Sequence, residues 1–172
     1  LAIYAHTSAG VSQLTSEQLA GIYDGTITNW KDVGGADAPV VVVNKAEGRS
    51  TLELFLHYFK LKNSDIKAQV VIGDNQQGIK TVEGNVGAIG YVSIGTAEYS
   101  VKHGEPLKML PMAGVEASLE NLRSKKFPLS RALHLVTKKG QQSELARKFI
   151  TFTQAAENND LVEKQYFVPI GK

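Results

Sequence analysis

The 172-residue sequence predicts an α/β fold with a mainly parallel sheet. Three observations carry that expectation. Strand-like and helix-like stretches alternate almost throughout, as right-handed crossovers require. The run VVVV (40–43) is apolar at every position, the pattern of a strand covered on both faces. The stretch VGAIGYVSIG (86–95) reads as a strand whose glycines imply close approach of backbone to backbone or ligand.

Taken in order, LAIYAH (1–6) is a strand, with Ser8, Gly10 and Ser12 forming a polar turn after it. Thr15 and Gln18 stand three apart, the spacing of a capping box, ahead of a short apolar face of Leu19, Ile22 and Tyr23. Asp24-Gly25 stops that helix. After the 40–43 strand, Leu52, Phe55, Leu56 and Phe59 recur at helical spacing and predict a helix over about residues 50–62. AQVVIG (68–73) is the next strand, and GIKTVEGN (78–85) a short helix. TAEYSVKHG is helical, LKMLPM a strand and ASLENLRSKK a helix. RALHLVTKK (131–139) reads as a strand, followed by helices near 143–156 and 157–165.

Composition excludes several classes. A net charge of +2 with scattered Lys and Arg does not point to nucleic acid. No apolar run approaches the roughly 20 residues of a membrane-spanning helix. Without cysteine there is no disulfide scaffold, thiol catalysis or Cys-ligated metal. His6, His57, His103 and His134 sit in four separate segments with no metal-ligand spacing, and no GxSxG, P-loop or GxGxxG motif is present. Neither a metal nor a cofactor is expected. The chain opens at Leu1 without an initiator methionine, so it is expected to be a processed or excised piece.

The most informative stretch is the break between the 40–43 strand and the next helix, which holds Lys45, Glu47, Gly48, Arg49, Ser50 and Thr51. Gly48 with a Ser or Thr cap would suffice for the turn. Two cations beside the positive end of a helix dipole oppose it by a few tenths of a kcal/mol unless an anion arrives. Free N–H groups of the first helical turn, the Ser50 and Thr51 hydroxyls, and charge-assisted bonds from Lys45 or Arg49 could together hold an oxyanion, with Glu47 orienting a cation. A plain cap with solvated surface charges is the other reading. GDNQQG (73–78) forms a second polar turn before a helix. Asn75 is there either an N-cap or, with Gln76, part of a second rim of donors on the same cleft.

TSEQLAGIYDGTITNWKDVGG resembles a segment of the periplasmic phosphate-binding proteins of ABC transporters, in outline L-x-x-x-x-L-x-x-I-[FY]-x-G-x-[IL]-x-x-W. In that family a strand and an anion loop, R-x-x-G-S-G-T, follow it. Here the loop is Lys45-Ala46-Glu47-Gly48-Arg49-Ser50-Thr51, which keeps only the glycine and the final threonine. GAIGYVSIG, FPLSRALHLVTKK and ARKFITFTQAAENNDLVEKQYFVPI are similar to later family segments, in the same order.

The resemblance implies a type II periplasmic-binding-protein fold: a three-layer α/β/α lobe plus a partial second lobe. Residues 12–130 would be the complete lobe two, and residues 1–11 and 131–172 the crossing strands and C-terminal helices left of lobe one, most of which would be missing. It implies an anion site at Lys45, Gly48, Arg49, Ser50 and Thr51, supported by Glu47, Asn75 and Gln76. It further implies phosphate or a related oxyanion as ligand, a membrane permease as partner, a periplasmic or extracytoplasmic setting and no bond chemistry. An oxyanion sensor or scaffold that has lost tight binding is the alternative. A phosphate-ester hydrolase using Lys45 and Arg49 as an oxyanion clamp lacks a nucleophile–base pair. An apolar patch left on 131–172 would favour a homodimer through 1–11 and 131–172.

Overall fold

The computed structural model describes residues 1–165 and 167–169, and the chain divides into two compact units, Leu1–Ser130 and Arg131–Lys172. The first is built on five strands: β1 (Ala2–His6), β2 (Val41–Lys45), β3 (Val70–Ile72), β4 (Ala88–Val92) and β5 (Leu107–Leu110). They lie in the order β3-β2-β4-β1-β5. β2 runs parallel to both β3 and β4, whereas β1 runs antiparallel to both β4 and β5. Four strands therefore point one way and β1 alone opposes them, a mainly parallel sheet.

Helices cover both faces. On one face lie α1 (Ser16–Asp24) and α2 (Ser50–Phe59). Tyr23 of α1 and Phe55 of α2 meet at 4.5 Å between ring centroids, and Phe55 stacks on Tyr91 of β4 at 4.3 Å and 8°. On the other face lie α3 (Asn75–Glu83) and α4 (Ile94–Lys102), which pack on β4, β1 and β5. This is the three-layer arrangement that the resemblance implies.

The local reasons are those read from sequence. In α1, Thr15 Oγ1 accepts from the Gln18 N–H at 3.1 Å and Gln18 Oε1 accepts from the Thr15 N–H at 2.9 Å, so two orphan donors are satisfied reciprocally. Gly25 then ends the helix in the left-handed region. Trp30 is fully buried and donates Nε1–H to the Gly87 carbonyl at 2.7 Å, tying the loop before β2 to the start of β4.

Several boundaries differ. α2 ends at Phe59, three residues short of expectation, because Lys60 turns left-handed at φ 56°. α3 starts at Asn75 rather than 78, since Asp74 caps it by accepting from the Gln77 N–H at 2.8 Å. The 86–95 stretch is not one strand: β4 stops at Val92, and Ser93 is the N-cap of α4.

Two larger expectations are corrected. Residues 131–139 form no strand. A strand needs a ladder partner for its N–H and C=O groups, and none pairs with this segment among the described residues. Leu133, Leu135 and Val136 are exposed instead. Residues 1–11 do not group with the C-terminal segment either: β1 is buried in the first sheet and paired along both edges, so Ala2 to Ala5 offer no surface to a second copy.

The second unit carries α6 (Glu144–Gln154), capped by Ser143 Oγ at 3.1 Å from the Ala146 N–H, and α7 (Asn159–Lys164), while α5 (Leu119–Arg123) closes the first unit. Residues 166 and 170–172, within the expected 131–172 remnant, lie outside the described residues.

Tyr4 sets a tight packing constraint. Its hydroxyl is buried without a hydrogen-bond partner among the described residues. A Cβ at Gly90 would stand 3.0 Å from that oxygen and 3.2 Å from Cζ, and one at Gly78 2.5 Å from Ile72 Cδ1. Gly90→Ala should therefore destabilise by about 1–3 kcal/mol, read from urea unfolding followed by Trp30 fluorescence. Tyr4→Phe, which removes an unsatisfied buried hydroxyl, should leave stability unchanged or raise it by up to about 1 kcal/mol. A clear loss in Tyr4→Phe would contradict the packing described.

Candidate anion-binding site

The parallel strands β2, β3 and β4 end at one edge, and each is followed directly by a helix. The N-termini of α2, α3 and α4 therefore converge there, which is where ligands gather in open α/β sheets. Lys45, the last residue of β2, is the charged group at the centre. The residue is only 3% exposed, with its ammonium part-buried. Nζ donates to Asn75 Oδ1 on the first turn of α3 at 3.0 Å. Asn75 Nδ2 donates to Ser93 Oγ at 3.3 Å, and Ser93 Oγ shares a 2.6 Å hydrogen bond with Thr96 Oγ1. One polar chain thus runs from the end of β2 across the start of α3 to the start of α4.

The backbone of Lys45 is also fixed. Its N–H donates to Tyr91 Oη at 3.4 Å, and that hydroxyl donates to the buried Asn44 Oδ1 at 2.6 Å. The next amide, Ala46, donates to the Ile72 carbonyl at 2.9 Å, linking the break to β3.

The remaining predicted residues fall around this point. Gly48 turns the chain at φ 77° with open space where a side chain would stand. Arg49 is the N-cap of α2 and makes no capping side-chain bond, so Ser50 and Thr51 form a first turn without a side-chain cap. Its Nη2 lies 3.6 Å from the position a Cβ at Gly73 would take, which puts the guanidinium over the β3–α3 turn. Gln76 is exposed on α3 with no part in the Lys45 chain. Glu47 accepts from Asn63 Nδ2 at 3.1 Å, its hydrogen bond among the described residues being to an amide. Asn75 is not the N-cap of α3; Asp74 takes that place and leaves the Asn75 amide free to meet Lys45. Ser93 and Thr96 were not anticipated, because they lie in a stretch read as strand and helix interior; the serine preceding Ile94 is a cap signal that marks them.

The electrostatics favour an incoming anion. Burial lowers the Lys45 pKa to about 8, with Asp74 opposing the shift and Arg49 adding to it. Lys45 and Arg49, both cations, repel one another across the site. Three positive helix ends, a buried ammonium and a guanidinium face one sheet edge, an arrangement that an oxyanion with several acceptor oxygens would relieve.

The family model described as a PBP superfamily domain matches residues 1–157. The phosphate-binding protein PstS of Borreliella burgdorferi is 30% identical over 169 residues, covering 93% of this chain and 59% of its own length. That of Bacillus subtilis is 26% identical, covering 99% of this chain and 55% of its own. The chain thus spans little more than half the length of these relatives. Among solved structures, a chain from Clostridium perfringens described as a phosphate ABC transporter substrate-binding protein, with bound phosphate, superposes with a TM-score of 0.81 at 30% identity. The alignment covers 99% of this chain and 68% of that one. An ABC-type phosphate transport receptor from Vibrio cholerae gives 0.79 at 28% identity, covering 97% and 68%. The sheet order, the converging helix ends and these matches lead to one conclusion: the chain belongs to the PBP superfamily and is similar, over nearly all its length, to phosphate-binding members of it.

Proposed function

We propose that this chain binds inorganic phosphate, or an oxyanion of the same shape, without bond chemistry, as part of the extracytoplasmic solute-binding component of an ABC importer that delivers to a membrane permease. The observation that carries this reading is the buried Lys45 among three helix N-termini, with Arg49 beside it. Lys45 donates one of its three N–H bonds to Asn75 and keeps two for a ligand. The N–H groups of Ser50 and Thr51 and their hydroxyls supply further donors, and Gly48 lets the loop backbone approach closely. The names of the relatives supply the ligand class. No helix among the described residues is long and apolar enough to cross a membrane.

The site presents its donors from one sheet edge only, so a bound phosphate keeps part of its hydration. Each charge-assisted bond not made forgoes about 1.5–3 kcal/mol, so this chain alone should bind phosphate no more tightly than roughly millimolar. The check is a phosphate titration followed by methyl NMR, with shifts expected at Ala46, Thr51 and Thr96. Micromolar affinity would overturn the one-sided picture, and shifts confined to other regions would overturn the site.

Lys45→Met should weaken binding by about ten- to a hundredfold, the loss of one charge-assisted bond. It should also stabilise the fold at neutral pH, since burial disfavours the charged ammonium. The sign follows from linkage. The folded pKa of about 8 lies below the ordinary 10.5, so between those values the unfolded chain still holds a proton that the folded protein has released. Unliganded wild-type stability should therefore rise with pH across that window, and the Lys45→Met variant should lose this contribution. Thermal melts at pH 7 to 10 would test it.

A further inference from the structure

We propose that Asn75, held by Ser93 and Thr96, is a positioning residue that aims the Lys45 ammonium into the anion site, so that anion binding follows the charge of that ammonium. The inference rests on the anion-binding reading above and extends it to two residues of α4. Its basis is the continuous chain from Lys45 Nζ to Asn75 Oδ1 at 3.0 Å, from Asn75 Nδ2 to Ser93 Oγ at 3.3 Å, and between Ser93 Oγ and Thr96 Oγ1 at 2.6 Å. Ser93 stands at the N-cap of α4 yet makes no capping side-chain bond. An N-cap serine ordinarily accepts from its own helix, so its engagement with Asn75 gives up a cap to fix the amide.

The amide needs fixing because its two ends differ. Only the oxygen can accept from an ammonium, and a bond from Nδ2 to Ser93 keeps the oxygen turned toward Lys45. A neutral acceptor also suits a site that must admit an anion: a carboxylate in its place would neutralise Lys45 and repel the ligand.

The groups facing Lys45 from each surrounding element are few. Asp74 comes from the β3–α3 turn and Arg49 from the N-cap of α2. The Tyr91 hydroxyl of β4 meets its backbone, and Asn75, Ser93 and Thr96 are neutral. With Asp74, the countercharge among the described residues, exposed and burial dominant, the Lys45 pKa is lowered to about 8, well below an ordinary lysine. An arginine at this point would keep its charge throughout.

The test is a phosphate titration at fixed ionic strength from about pH 7 to 10, read by methyl NMR. The Lys45 ¹³Cε shift, followed without phosphate, reports its protonation. Above pH 8 phosphate is already dianionic, so a change in affinity there belongs to the protein. Affinity should fall by roughly three- to fivefold between about pH 8 and 9 and level off at higher pH near the affinity of Lys45→Met. Asn75→Asp should move both the Lys45 titration and the break in affinity to higher pH, while weakening binding severalfold at pH 7. Ser93→Ala should weaken binding about two- to threefold with the fold intact by circular dichroism, and Ser93→Thr, which keeps the hydroxyl, should restore it. A folded Asn75→Asp that leaves the titration and the break unmoved would overturn the proposal, as would a silent Ser93→Ala. Binding at pH 7 with a flat profile to pH 10 would overturn this proposal alone. No methyl shift at any pH would overturn the anion reading and this proposal with it.

Discussion

The stacked contact between Phe55 and Tyr91 is the interaction on which the site depends. The rings lie nearly parallel at 4.3 Å and join α2 to β4 across the body of the sheet. Tyr23 leans on both from α1, at 4.5 Å and 5.8 Å. Such contacts add about 0.5–1.5 kcal/mol beyond the area they bury, but their geometric effect matters more here. Tyr91 is held by its ring and, at its far end, holds Asn44 and the Lys45 amide. The position of the buried cation is thus inherited from a hydrophobic contact. Because Phe55 belongs to the helix that opens at Ser50, the same contact also fixes the start of α2 against the end of β2.

Much of this was legible in the sequence, and what was not has physical causes. The capping box of α1 was readable because Thr15 and Gln18 interact over three residues, and the α2 stripe because its period is local. The meeting of Lys45 with Asn75 is a different kind of fact. The two are thirty residues apart and meet only because the β2–α2–β3 crossover brings adjacent parallel strands to a common edge. Sequence marked both as polar residues beside helix starts, but their hydrogen bond belongs to the sheet. The β4–α4 boundary was hidden by an unbroken small and apolar run, in which Ser93 was the one departure. The expected strand at 131–139 failed for the opposite reason. Its β-branched and apolar pattern is local, but a ladder partner is not a property of the segment itself.

The site also shows how a family architecture can be kept while its chemistry is shifted. In the family pattern the loop opens with arginine, and this chain has Lys45. A guanidinium resists burial effects on its charge, whereas an ammonium yields to them. Arg49 supplies a guanidinium from the neighbouring helix start, over Gly73 and more exposed. The permanent charge has thus moved to the rim and the titratable one to the interior. In the proposed site affinity and proton occupancy would be coupled, which an arginine in the inner position would avoid.

The reversed strand β1 carries a consequence for how the molecule is made. It is the first strand of the chain, yet Ala2 pairs with Val92 and Ile3 with Leu110. During synthesis β1 leaves the ribosome before either of its sheet neighbours. Until they emerge Ile3 and Tyr4, fully buried in the finished sheet, have no partners. Long-range pairings of this kind slow folding, because the closure entropy of the intervening chain is met before the contacts return it. The three parallel strands that build the site can associate earlier, through their own crossovers. Closing the sheet waits on β5, so the nascent chain passes through a long interval in which the unpaired β1 residues are candidates for chaperone capture.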